Sequence, residues 1–267
     1  MKSFKLYFFL SFILFPFLSF SQQEEPINPD RPDQTESPEV IEPLVLQIES
    51  GFIYERTIDN THHLETNTTF PQVLIRFGLI DAIEFRTYIQ YISNYSLDAG
   101  GVGNEKIEAT NNGFIPTKFG VKIKVSEGEG LKPSTAFLIK LSFPKFASRV
   151  FTANYIAPEL IFSLEHNWTK KLTVGYNLGM VWDGDTPEQT NYYTASFNYS
   201  LSKRLNVFAE TYGFYKRMTE ADNRLDGGIT FLVTNNIMVD AEGGIGLSNI
   251  SPKYFIGAGF SFRTPKL

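Results

Sequence analysis

Between Trp168 and Trp182 the chain reads WTKKLTVGYNLGMVW. Leu172, Val174, Tyr176, Leu178, Met180 and Trp182 fall on one side of an extended backbone. Thr173, Gly175, Asn177 and Gly179 fall on the other, with Val181 the one exception. Successive side chains of a strand point to opposite faces, so this is a strand with one apolar and one small-polar surface. A tryptophan stands at each end of the stretch. Aromatic residues bracketing an apolar band are what a bilayer with two interfaces selects.

The pattern recurs from Leu44 to the C-terminus. Ile83, Phe85 and Ile89 oppose Glu84, Arg86, Tyr88 and Gln90; Phe119, Val121 and Ile123 oppose Lys118, Gly120 and Lys122. Tyr193, Ala195, Phe197 and Tyr199 oppose Thr194, Ser196, Asn198 and Ser200, and Tyr254, Ile256, Ala258, Phe260 and Phe262 oppose glycine, serine and Arg263. About twelve such segments can be laid out, each close to membrane-spanning length. The second covers roughly Thr66 to Phe77. Short turns join the segments in pairs: Thr169-Lys170-Lys171, Ser202-Lys203-Arg204, Thr234-Asn235-Asn236 and, earlier, Gly78 to Asp81. Longer polar stretches, Asp98 to Gly113 with four glycines and Asp183 to Gln189, separate the hairpins. Turns on one side and loops on the other suit periplasmic and extracellular ends.

The predicted fold is therefore all-β: a transmembrane, antiparallel, up-and-down β-barrel of about 12 strands over residues 44–267. A soluble sandwich or lipocalin-like barrel would also alternate, but it would bury its apolar face. Here so many apolar faces would leave a belt far larger than a soluble monomer tolerates. Mean hydropathy is only −0.14, because each lipid-facing residue is followed by a lumen-facing one. Beyond the N-terminal apolar stretch, Leu6 to Leu18, no run approaches the length of a transmembrane helix.

Residues 1–21 read as a signal peptide. Lys2 and Lys5 form the positive end, Leu6 to Leu18 the apolar stretch, and Ser19-Phe20-Ser21 the cleavage site before Gln22. The expected address is the outer membrane of a diderm bacterium, with both chain ends in the periplasm. The chain has no cysteine, which excludes disulfides and a lipid-modified N-terminal cysteine. A net charge of −5 leaves no nucleic-acid footprint. The expected partners are the lipid bilayer and a small-molecule solute. No cofactor motif is present, and nothing in the sequence sets an oligomeric state.

Residues 22–43, QQEEPINPDRPDQTESPEVIEP, are rich in proline and acid. Pro32 and Pro38 break any helix, and the polar residues between them favour turns. By parity the barrel interior carries Glu49, Arg76, Glu84, Arg86, Lys122, Lys124, Lys140, Glu159, Glu165, Glu210, Asp226, Asp240 and Glu242. The bases concentrate on the second to fifth strands and the acids on the sixth to eleventh. Two readings of residues 22–43 follow: a segment bound inside the lumen by charge-assisted bonds, or a disordered periplasmic tail.

The stretch Asp30-Arg31-Pro32-Asp33-Gln34-Thr35-Glu36-Ser37-Pro38 resembles the N-terminal signature of the MetA-pathway phenol-degradation family of outer-membrane, transporter-like barrels. Its motif residues here are Asp30, Arg31, Pro32, Asp33, Thr35, Glu36, Ser37 and Pro38. The first strand, Leu46-Gln47-Ile48-Glu49-Ser50-Gly51, and the turn from Gly78 to Phe85 are similar to the family too, as are the later lysine-rich turns. The resemblance implies passage of an aromatic compound. No residue selects phenol.

The leading expectation is an outer-membrane channel or transporter for a small apolar or aromatic solute. The alternative is a non-transporting structural or adhesive barrel, which the modest loops disfavour. An outer-membrane lipid hydrolase would need a serine, a histidine and an orienting group together. Histidine occurs only at 62, 63 and 166, and no serine motif pairs with them, so no catalytic residue is assigned and the chain is not expected to be an enzyme. His62, His63 and Glu65 offer at most a weak surface metal contact, and no metal site is assigned. The pairs Gly227-Gly228 and Gly243-Gly244 read as places of sheet bending or close lumen packing.

Overall fold

The computed structural model describes residues 25–58, 63–98 and 107–266. The signal-peptide stretch, His62 and residues 99–106 of the expected Asp98–Gly113 loop lie outside these residues. Among the described residues thirteen strands form one antiparallel sheet. They are β1 (Leu46–Ile58), β2 (His63–Ile80), β3 (Ile83–Asp98), β4 (Ile107–Phe114), β5 (Thr117–Ser126), β6 (Ser134–Phe143) and β7 (Ala157–Asn167). They continue with β8 (Leu172–Trp182), β9 (Gln189–Ser200), β10 (Leu205–Lys216), β11 (Asp222–Thr234), β12 (Ile237–Gly246) and β13 (Tyr254–Arg263).

Apart from β4, which pairs with β3 alone, each strand has two neighbours in the sheet, and the pairing of β1 with β13 closes it. The barrel has twelve staves, because β4 and β5 are collinear halves of one. The upper half of β3 pairs with β4 from Tyr91↔Phe114 to Asp98↔Ile107, and its lower half with β5 from Ile83↔Ile123 to Tyr88↔Lys118. The break falls at Ile115-Pro116, where proline lacks the N–H that a ladder needs. A second irregularity lies at Phe70-Pro71, where β2 slips against both β1 and β3. Each break shifts the inward row by one residue: from Thr69 to Gln72 in β2, and from Gly113 to Lys118 across the split stave.

Part of the expected layout is corrected here. The described residues of the stretch from Asp98 to Gly113 are strand rather than loop: β3 reaches Asp98 and β4 begins at Ile107. β2 is longer than Thr66–Phe77, running from His63 to Ile80. In β4 residues 107–112 are exposed on both faces, and the few residues added at either end of β2 are too short a run to show apolar alternation.

The two faces divide as the opening strand predicts. Leu178 is 61 % exposed on the outer face, while its neighbour Asn177 is 1 % exposed inside. Phe197, Ile229, Phe231, Val239, Ile256 and Phe260 continue the exposed outer row around the barrel. Such a row is stable only against lipid. The tight turns (80–83, 127–133, 168–171, 201–204 and 235–236) share one end, here the turn end. The loops 144–156, 183–188, 217–221 and 247–253 share the other, the loop end.

Candidate functional site

Residues 25–43 run inside the barrel. The segment enters at the turn end, where the Ile27 N–H donates to the Asn235 carbonyl and the Ile27 side chain packs on Leu232 and Met238. It leaves at the same end, where Pro43 bridges to Gly78. Between these points it climbs to mid-lumen and turns back through Asp30 to Pro38. The Asp30 carboxylate closes that turn by accepting from the N–H and hydroxyl of Ser37, at 3.1 and 2.8 Å. Pro38 is completely buried.

One wall of the lumen is basic and receives three acids of the segment, Asp30, Glu36 and Glu39. Asp30 Oδ2 lies 2.8 Å from Arg86, 2.9 Å from Lys122 and 3.2 Å from Arg76. Glu36 lies 2.9 Å from Arg86, 3.0 Å from Lys140 and 3.7 Å from Lys122. Glu39 takes Lys124 at 3.0 Å. Wall acids complete the network: Glu84 pairs with Arg76 and Arg86, Glu49 with Arg76, and Glu159 with Lys118 and Lys140. Arg76 makes aligned hydrogen bonds to Glu84 and Glu49. Arg86 is held by proximity alone, since its N–H groups are close to carboxylates without good hydrogen-bond alignment. A charge buried this deeply costs several kcal/mol unless it is paired, so segment and wall depend on each other.

The opposite wall is acidic and takes the one base of the segment. Arg31 reaches Asp240 at 3.0 Å and Glu242 at 4.0 Å, and donates to Gln72 at 2.8 Å. Its guanidinium lies in a slot between two glycines. A Cβ at Gly51 would come within 2.3 Å of Arg31 Cζ, and one at Gly259 within 2.6 Å of Nε. Glu210 accepts the Gln34 N–H at 2.7 Å and the Thr35 hydroxyl. Asp33 accepts from Ser196 at 2.8 Å. Glu165 and Asp226 lie on the inner face with no ion pair or hydrogen bond among the described residues.

Backbone groups of the segment are held as firmly as its charges. Asn177 Oδ1 accepts the Glu36 N–H at 2.7 Å, and Asn177 Nδ2 donates to the Glu36 carbonyl at 3.0 Å. The N–H groups of Asp30 and Arg31 both donate to Glu49, and that of Ile41 to Glu84. Thr35 meets Thr194 at 2.7 Å. Asn177, Thr194 and Ser196 were legible only as small polar lumen residues. Their role as partners of the segment has no signal in the sequence.

Above the segment, toward the loop end, a cavity of about 350 Å³ has Arg31, Pro32, Asp33 and Gln34 in its lining. Ile53, Ile161, Val181, Tyr192 and Phe214 give its wall apolar character; Gln72, Gln90, Lys118, Lys140 and Glu159 add polar groups. Tyr192 donates to Glu159 at 3.0 Å and Tyr88 to Glu36 at 2.9 Å. Sequence parity placed charge and Val181 on the inner face but missed the rest of this apolar surface, where Ile161 joins buried Ala136 and Leu138 with Tyr192 packed against them. Phe208 and Phe255 also point inward, beside Gly228 and Gly244, where a Cβ would collide with their rings. At the loop end Asp183 pairs with Lys216 at 2.9 Å. That ammonium, with the N–H groups of Thr186 and Asp185, holds the Asp183 carboxyl below the usual carboxylate range.

His63 and His166 lie away from residues 25–43. His63 begins β2, and Glu65 is hydrogen-bonded to Asn67 and Asn94. His166 lies on the outer row of β7, stacked on Tyr176.

A closed barrel of twelve staves with an apolar exterior and a charged interior defines an outer-membrane β-barrel. Solved structures agree on the fold. The COG4313 outer membrane channel from Pseudomonas putida F1 is 10 % identical, covers 89 % of this chain and 100 % of its own, and superposes with a TM-score of 0.65. The transport unit of the autotransporter AIDA-I from Escherichia coli is 11 % identical, covers 90 % and 93 %, and has a TM-score of 0.51. The β domain of the Bordetella autotransporter BrkA is 10 % identical, covers 81 % and 98 %, and has the same TM-score of 0.51. No curated protein matches the chain. The family model described as "Putative MetA-pathway of phenol degradation" matches residues 29–264, and the chain belongs to that family.

Proposed function

We propose that this protein is a channel or transporter in the outer membrane for a small apolar or aromatic solute, and that residues 22–43 plug it at rest. The observation that carries the reading is the position of the segment: Asp30, Glu36 and Glu39 on the basic wall, Arg31 on the acidic wall, directly beneath a cavity on the loop side lined by both apolar and polar groups. Solute would enter from the loop end, shed water against Ile53, Ile161, Val181 and Phe214, and stop at Arg31 to Gln34 until the segment yields. The charged walls set selectivity along the path. The turn end, with both chain termini, faces the periplasm, and residues 1–21 are removed before Gln22.

Catalysis has no support in the arrangement of His63 and His166, which lie at a strand edge and on the outer surface. An adhesive barrel would work through its loops, and those described are short. Single-channel conductance in planar bilayers tests the proposal, with the mature chain compared with a chain lacking residues 22–43. Deletion is expected to raise conductance and to admit bulkier solutes. Equal conductance from both chains would overturn the plug.

A further inference from the structure

We infer that the turn end between β5 and β10 binds the headgroups of anionic phospholipids. Three successive tight turns there share one layout, an exposed apolar residue followed by bases. They are Leu131-Lys132 between β5 and β6, Trp168-Thr169-Lys170-Lys171 between β7 and β8, and Leu201-Ser202-Lys203-Arg204 between β9 and β10. Leu131 is 95 % exposed, Trp168 67 % and Leu201 51 %. These turns stand about 10 Å apart around the rim, two strand spacings each.

The last two turns are built alike. The Thr169 hydroxyl accepts the N–H groups of Lys171 and Leu172, and the Ser202 hydroxyl those of Arg204 and Leu205. Each pair of bases therefore occupies the same place in its turn. The first turn is tied to the second by His166, whose Nε2 lies 3.1 Å from the Leu131 carbonyl and whose ring stacks on Tyr176.

All five bases are exposed, and none forms an ion pair among the described residues. The arc has two acids, Glu127 and Glu129, and Lys124 pairs with the first at 3.2 Å. The remaining turns at this end lack the feature: Asp81 sits between β2 and β3, and Asn235 and Asn236 between β11 and β12.

The occupant follows from the depth. Leu131, Trp168 and Leu201 continue the apolar outer belt, so they sit at the acyl boundary. Bases one to three residues further on then reach the phosphates of the same leaflet. A soluble anion would have no use for an uncovered leucine and tryptophan beside each basic group. Only a lipid supplies acyl chain and phosphate together.

Trp168 reports on the arc directly. Trp182→Phe leaves it as the single tryptophan, and Trp168→Phe leaves Trp182, at the loop end, as the control. Each protein is reconstituted into phosphatidylcholine vesicles containing one-fifth phosphatidylglycerol, with brominated chains on one lipid or the other. Brominated phosphatidylglycerol is expected to quench Trp168 with about a five-fold preference, the effect of roughly one effective contact with a base. Trp182 is expected to show none. Replacing Lys170, Lys171, Lys203 and Arg204 by glutamine should abolish the preference at Trp168. Equal quenching of Trp168 by both lipids would overturn the inference. So would a preference that survives the four replacements, appears equally at Trp182, or is competed away by inorganic phosphate at constant ionic strength.

Discussion

Arg86 Nη1 lies 2.8 Å from Asp30 Oδ2, joining the wall of the barrel to the segment that precedes its first strand. Lys122 and Arg76 share the same oxygen at 2.9 and 3.2 Å. Three cations therefore converge on one carboxylate. Asp30→Asn keeps the shape and removes the charge that balances them. Breaking a buried pair from one side costs about 3–5 kcal/mol. The cost is expected to appear as loss of seating while the barrel stays folded. Limited proteolysis should then cut within residues 25–43, and single-channel conductance should rise; a resistant segment with unchanged conductance would contradict this.

Gly51→Ala tests the other wall. Its new Cβ would stand 2.3 Å from Arg31 Cζ, so the guanidinium must leave Asp240. The backbone of β1 needs no change. Conductance is expected to rise, by less than on deleting the whole segment, with thermal stability of the barrel nearly unaltered. Wild-type conductance in this variant would show that Arg31 does not help to seat the segment.

Leu178→Arg places a charge on the lipid row. The expected loss of folding stability in vesicles is about 2–4 kcal/mol if the position lies at the midplane. A nitroxide at 178 should respond to a lipid-soluble relaxation agent and little to a water-soluble one. Shielding from both agents would make the outer row a protein interface.

Orientation is tested with single cysteines, since the native chain has none. Cysteine at Thr186, in the loop between β8 and β9, should react with an impermeant thiol reagent on intact cells. Cysteine at Lys203 should react only after the outer membrane is opened. Reversed labelling would place the turns outside.

The barrel could be read from sequence because lipid enforces a rule at every outward position of a strand. Leu178, Phe197 and Ile256 obey it, and their exposure matches their parity. The rule lapses beyond the membrane. Residues 107–112 are exposed on both faces of β4, so nothing in their pattern betrays a strand. Parity also fails to carry across Phe70-Pro71 and Ile115-Pro116, where the ladder slips. Inside, charge was legible and apolar surface was not. Leu138 and Ile161 sit between outward hydrophobic neighbours, and a continuous apolar run hides which residue faces in. Asn177 shows a different limit. Its parity was plain, but the partner of its amide is 141 residues away, beyond anything local patterning encodes.

Ile27 and Pro43 both lie at the turn end, so the segment between them is a bight pushed in through one opening. It was never passed through the ring like a thread through a needle. The hoop of strands can therefore close first and be filled afterwards, and the bight can be drawn back without parting any strand. Only side-chain and amide contacts resist its withdrawal, and each of them can re-form on return.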